Sequence, residues 1–147
     1  MPKIRITKKF NFEAAHALSN YDGPCRNIHG HSYKLNVTVA GSPSADISSP
    51  KYGMLLDFSV LKRIVNENII NKYDHSLMLR EDVNLSKELS EAYNNVIILP
   101  YQPTSENMIV SFAEVLKNKL PDGVELFSIR LYETESSYVE WFNSDNI

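Results

Sequence analysis

Cys25-Arg26-Asn27-Ile28-His29-Gly30-His31, running on into Ser32-Tyr33-Lys34-Leu35-Asn36-Val37-Thr38-Val39, is the stretch whose reading decides the fold. A β-strand sends alternate side chains to opposite faces. A strand beginning at residue 29 therefore puts His29, His31, Tyr33, Leu35, Val37 and Val39 on one face, and Ser32, Lys34, Asn36 and Thr38 on the other. The alternation of apolar and polar residues is that of a half-buried strand. It places both imidazoles within reach of one metal ion, with Gly30 leaving the opposite face uncrowded.

A third histidine arrives from the preceding segment. The even positions from residue 4 read Ile4, Ile6, Lys8, Phe10, Phe12, Ala14, His16 and Leu18, so the core face of a first strand delivers His16 near its far end. An antiparallel hairpin of the two strands makes His16, His29 and His31 converge. Three neutral imidazoles with a fourth position left for water or substrate are the usual ligand set of a catalytic zinc. The bland alternative is a core histidine at His16 and a polar turn at His29-Gly30-His31. His-x-His alone is a weak motif; the third histidine on a converging core face strengthens it.

The 147 residues suffice for one domain, 1–147, with a real core, and 43% hydrophobic and 22% charged residues are ordinary for a soluble protein. A net charge of −3 offers no basic footprint for nucleic acid, and no apolar run is long enough to span a membrane. Met1-Pro2-Lys3-Ile4-Arg5 leads straight into a strand pattern without a signal-peptide core, and one cysteine cannot form an internal disulfide. The expectation is a cytoplasmic protein.

Further along, Gly53-Met54-Leu55-Leu56 reads as a short extended piece, and Asp57 or Ser59 caps a helix whose stripe is Phe58, Leu61, Ile64, Val65 and Ile69. That helix ends near Tyr73, directly before Asp74-His75. Residues 80–103 read as a long connection with a short helix around 86–93. Thr104 caps a second helix, with Glu106 in its first turn and a stripe of Met108, Phe112, Val115, Leu116 and Leu120. In the closing pair of strands, Phe127, Ile129, Leu131 and Glu133 share a face; a carboxylate ending an apolar row is costly unless it is paired. The order strand-strand-helix-helix-strand-strand implies an α+β fold with two helices on one four-stranded antiparallel sheet.

Phe12-Glu13-Ala14-Ala15-His16, Cys25-x-x-x-His29-Gly30-His31, Asp74-His75, Pro103-Thr104-Ser105-Glu106-Asn107 and Tyr132-Glu133-Thr134 occur in this order over nearly the whole chain. Each motif is weak alone, but the ordered set is specific, and it resembles the 6-pyruvoyl-tetrahydropterin synthase and 6-carboxy-tetrahydropterin synthase family. The resemblance implies the tunnelling fold. It also implies a zinc lyase acting on 7,8-dihydroneopterin triphosphate, and a homohexamer of two stacked trimers with active sites between subunits. By the same resemblance His16, His29 and His31 hold the zinc and Cys25 is the general base. Asp74 and His75 complete the proton-transfer set, and Glu133 anchors the pterin with help from Thr104, Ser105 and Glu106. Cys25 precedes His29 by four residues, a short spacing that resembles the carboxy-type enzymes of the 7-deazaguanine (queuosine) pathway. The expected products are then 6-carboxy-5,6,7,8-tetrahydropterin, acetaldehyde and triphosphate. One departure bears on the product: Ser76-Leu77-Met78-Leu79 stands where many carboxy-type members have two residues and then Leu-Asn.

Two other classes compete. A pyruvoyl-type synthase would keep the three-carbon side chain. A zinc- or pterin-binding module without catalysis would need neither Cys25 nor the Asp74-His75 pair. A cyclohydrolase or aldolase of the same fold does not suit the spacing of the histidines from Cys25.

Overall fold

A computed structural model describes residues 1–147. Strands β1 (Ile4–His16) and β2 (His29–Gly41) lead to a helical rod built of α1 (Phe58–Val65), a π-helical turn (Asn66–Ile70) and α2 (Asn71–Tyr73). Then come β3 (Ser76–Arg80), α3 (Ser86–Ala92), β4 (Val96–Leu99), α4 (Ser105–Leu116), β5 (Glu125–Thr134) and β6 (Ser137–Phe142). All six strands share one sheet, in the order β4-β3-β1-β2-β5-β6.

The hairpin read from the sequence is present, and its register places His16 directly opposite His29. Both parities hold. Phe12 and Ala14 of β1 and Tyr33, Leu35, Val37 and Val39 of β2 are buried in one cluster with Leu61, Val65 and Ile69 of the helical rod and Met108, Phe112 and Leu116 of α4, and His16 is buried at the end of the β1 row. Phe12 stacks on Tyr33 with ring centroids 5.0 Å apart, and Phe112 meets Phe12 edge-on. The caps are as expected: Asp57 accepts from Ser59 N at 2.8 Å, and Thr104 Oγ1 accepts from Asn107 N at 3.2 Å.

The sheet corrects the four-stranded antiparallel expectation in two ways. It is mixed, because β3 runs parallel to β1 and β4 parallel to β3. It also has six strands, because Ser76–Arg80 and Val96–Leu99 are too short and too evenly apolar for alternation to mark them, and α3 serves as the crossover that parallel pairing demands. Gly53–Leu56 is not a strand; its turn is closed by backbone bonds from Ser44 N to Met54 O and from Gly53 N to Ser44 O. Phe58 and Val115, expected in the helix stripes, are exposed.

The core row of β5 also differs. A register shift at Thr38/Val39 pairs Ser128 with Thr38 and Leu126 with Val39, so Phe127 is the extra residue of a β-bulge. Leu126, not Phe127, is buried with Ile129 and Leu131; Phe127 turns to the other face, with Arg5 3.8 Å from its ring centroid. Beyond the bulge the alternation resumes, and Glu133 still ends the core row.

At Gly41, an added Cβ would lie 2.5 Å from the Gly123 carbonyl oxygen and 2.5 Å from Leu55 Cδ1, so two backbones meet where only glycine fits. Gly41→Ala is expected to cost about 1–3 kcal/mol of stability. Urea unfolding checks this: the midpoint falls with the slope unchanged, and an unaltered midpoint contradicts it.

Candidate functional site

The site is assembled by the β1–β2 pairing. His16 closes β1, His29 opens β2, and His31 follows two residues later on the same face, so three imidazoles meet with ligand atoms all within 4.8 Å of one another. Their ring centroids are 4.6, 5.0 and 5.1 Å apart. His16 is fully buried, and the other two are half-buried at the mouth.

Backbone carbonyls fix the tautomers. His16 Nδ1 lies 2.6 Å from the Pro103 carbonyl oxygen, and His29 Nδ1 lies 2.7 Å from that of Asn27. A carbonyl only accepts, so each Nδ1 carries the proton. The two Nε2 atoms then face each other across 3.1 Å with lone pairs exposed. Two acceptors at that distance repel unless a proton or a cation lies between them. Burial, the largest influence, holds the His16 pKa below its ordinary value of 6.5, which opposes the proton and keeps the imidazole in the neutral form that ligates a metal. His31 is likewise lowered, first by burial. Its Nε2 stands 3.2 Å from Glu133 Oε1 but is not aligned for a hydrogen bond, so a buried nitrogen is left unpartnered at the cluster. The cluster thus fits a metal ion bound by three neutral imidazoles, each carbonyl-held ring aimed by its second nitrogen.

Glu133 stands beside this cluster at an irregularity in the β5–β6 pairing between Tyr132 and Thr134. Its Oε2 accepts from the Ser105 hydroxyl at 2.5 Å, and Ser105 is itself buried at the start of α4. Arg130, the bland partner for this carboxylate, instead pairs with Glu140 at 2.9 Å. Glu133 keeps lone pairs free for donors from outside. Thr104 is adjacent but engaged as the helix cap, and Glu106 is exposed on the first turn. Tyr33, fully buried beneath the cluster, places its hydroxyl 3.5 Å from His16 Nδ1 and has its pKa raised by burial.

Cys25 occupies a short 3-10 turn, Pro24–Arg26, in the loop joining the two histidine-bearing strand ends, and is half-exposed. Asp74 and His75 are not brought to the cluster within one chain. Asp74 Oδ1 accepts from Glu13 N at 2.9 Å and lies 3.1 Å from His75 Nδ1. Accepting that backbone bond is the main reason the Asp74 pKa is lowered. His75 is exposed and lines a cleft of about 340 Å³ with Glu13, Gly30, Ser32 and His31 of the cluster, among others. It also holds φ at 60°, a left-handed conformation that costs a non-glycine residue about 1–3 kcal/mol. Residue parity does not reveal the side on which this pair emerges. The carbonyls of Pro103 and Asn27 were equally invisible in the sequence, because backbone acceptors leave no residue signature.

In the metal-stripped chain, the low pKa values of His16 and His31 mean that the unfolded state binds more protons below the ordinary value of 6.5. Stability is therefore retained above that pH and lost as pH falls through it. Denaturant unfolding with chelator at pH 7.5 and 5.5 should give the lower stability at 5.5; equal values contradict the assignment.

The family described as 6-pyruvoyl tetrahydropterin synthase matches residues 5–144. The chain is 33% identical to the 6-carboxy-5,6,7,8-tetrahydropterin synthase of Haemophilus influenzae, covering 94% of this chain and 98% of the relative. It is also 33% identical to the enzyme of that name from Bacillus subtilis, over 92% of this chain and 82% of the relative. Among solved structures, the 6-pyruvoyl tetrahydropterin synthase of Caenorhabditis elegans has the same fold, with a TM-score of 0.71 at 24% identity over 97% of both chains. An uncharacterized protein of Wolinella succinogenes, WS1659, superposes with a TM-score of 0.75 at 22% identity over 97% of this chain and 99% of its own. With matched residues running from the first strand to the last, the chain belongs to the 6-pyruvoyl tetrahydropterin synthase family.

Proposed function

We propose that this enzyme is a zinc-dependent 6-carboxy-5,6,7,8-tetrahydropterin synthase. It converts 7,8-dihydroneopterin triphosphate and one water to 6-carboxy-5,6,7,8-tetrahydropterin, acetaldehyde and triphosphate, in the queuosine (7-deazaguanine) pathway. The observation that carries this reading is the cluster of His16, His29 and His31 with the Glu133 carboxylate beside it. The names of the relatives and the short Cys25-to-His29 spacing favour the carboxy product.

His16, His29 and His31 hold the zinc. When bound there, Zn²⁺ serves as a Lewis acid toward substrate hydroxyls and stabilises the developing oxyanion. Glu133 accepts from the ring amide N–H and exocyclic NH₂ of the pterin, two parallel donors that suit one carboxylate. Ser105, donating to Oε2, holds that carboxylate in place, and Thr104 and Glu106 complete the binding edge. The Cys25 thiolate takes a proton from a side-chain carbon next to a hydroxyl. Asp74, 3.1 Å from His75 Nδ1, orients that imidazole. Because this pair contacts Glu13 and is not among the clustered ligand groups, it serves the site of a neighbouring subunit in a homohexamer. The exposed strand edges β4 and β6 are available for the pairing that closes such a ring. No helix is long and apolar enough to cross a membrane, and a cytoplasmic location suits the free thiol.

The pyruvoyl-type reading draws on one observation, the Met78-Leu79 departure. Both residues are buried in β3, with Met78 paired to His16, and neither offers a polar group to the site.

Incubation with dihydroneopterin triphosphate should release acetaldehyde and a product with a one-carbon side chain; a product keeping all three side-chain carbons reassigns the enzyme to the pyruvoyl type. Cys25→Ala should retain metal and fold but lose most turnover, and near-normal turnover removes the thiol from the mechanism. Glu133→Gln, which replaces an acceptor with a donor, should weaken substrate binding by roughly 2–5 kcal/mol. Unchanged affinity rejects the anchor.

A further inference from the structure

We infer that Gln102 is a positioning residue for Cys25, a role that rests on the reading of Cys25 as the base. Its side-chain amide brackets the backbone of Ser19: Nε2 donates to the Ser19 carbonyl at 2.7 Å, and Oε1 accepts from Ser19 N at 3.1 Å. This is the pairing a neighbouring strand would provide, made by one side chain. Ser19 Oγ adds 3.3 Å contacts to the same Oε1 and to Asp82 Oδ1, and Asp82 is held by both Arg80 donors at 2.6 and 2.7 Å.

The bracket matters because of what lies on either side of it. One residue back from Ser19, Leu18 N donates to the Cys25 carbonyl at 3.0 Å. One residue on from Gln102, the Pro103 carbonyl accepts from His16 Nδ1. The Gln102 carbonyl is itself fixed, accepting from Thr104 N at 2.8 Å and Asn107 Nδ2 at 3.0 Å. The Cys25 loop therefore reaches the histidine cluster through a continuous chain: Cys25, Leu18, Ser19, Gln102, Pro103, His16. Of the hydrogen bonds that leave residues 18–27, one joins Asn27 to His29 and the others all run through Ser19. Gln102 is half-buried and lies outside the hydrophobic core, so its removal frees the loop without opening a cavity. Proton transfer needs the base held near hydrogen-bond distance, and misplacement by about 1 Å costs on the order of 100-fold in rate.

The test uses the metal-loaded enzyme with Gln102→Ala and Ser19→Ala. Because the chain has one cysteine, iodoacetamide uptake reports on Cys25 alone. Gln102→Ala should keep its metal and its urea midpoint, lower kcat by roughly 10- to 100-fold with KM changed far less, and shift the alkylation rate of Cys25 by at least about twofold. Ser19→Ala removes only the hydroxyl contacts and keeps the bracket, so its alkylation rate should stay with the wild type. Two results overturn the proposal: wild-type alkylation and kcat in Gln102→Ala, or a loss of activity that tracks loss of metal or of stability. Should Cys25→Ala prove fully active, the base assignment falls, while the alkylation arm still decides whether Gln102 fixes the loop.

Discussion

The register of the β1–β2 pair is the constraint on which the rest depends. Its backbone pairing runs unbroken from Ile4↔Gly41 to His16↔His29. A slip of one residue would turn Phe12, Ala14 and His16 outward and take the third imidazole from the cluster. The same period of two that buries Tyr33, Leu35 and Val37 therefore delivers the chemical groups at the end of the row. Core and site are one pattern: apolar side chains fill the face under the helices, and where that row reaches the sheet end it becomes histidine.

The segment Gln102-Pro103-Thr104-Ser105 does comparable work in four residues. A side chain brackets Ser19, a carbonyl fixes the tautomer of His16, a hydroxyl caps α4, and a second hydroxyl holds Glu133. Proline suits the second position, because only its carbonyl is needed there and it has no N–H to satisfy. Such crowding means that pairs of substitutions within this segment will combine non-additively.

Much of this was legible in the residues. Strict alternation gave both long strands and the convergence of His16, His29 and His31, and Asp57 and Thr104 marked their helix starts by the usual capping chemistry. Glu133 stood out as a charge ending an apolar row. What escaped has physical reasons. β3 and β4 are short apolar segments whose parallel pairing depends on partners far along the chain. The bulge that expels Phe127 leaves no local mark, since Leu126 and Phe127 are equally apolar. The left-handed backbone of His75 is set by tertiary contacts, its N–H bonding to the Glu13 carbonyl, and so the side on which Asp74-His75 emerges could not be read from spacing.

The proposed site holds one metal ion on three imidazoles and leaves the thiol free of it. X-ray absorption at the metal edge of the purified protein tests this most directly. The expected result is a zinc edge with a four-coordinate shell of nitrogen and oxygen at about 2.0–2.1 Å, outer-shell scattering from three imidazoles, and no sulfur. A sulfur shell near 2.3 Å would make Cys25 a ligand instead of a base, and imidazole scattering weaker than three rings would contradict the cluster itself.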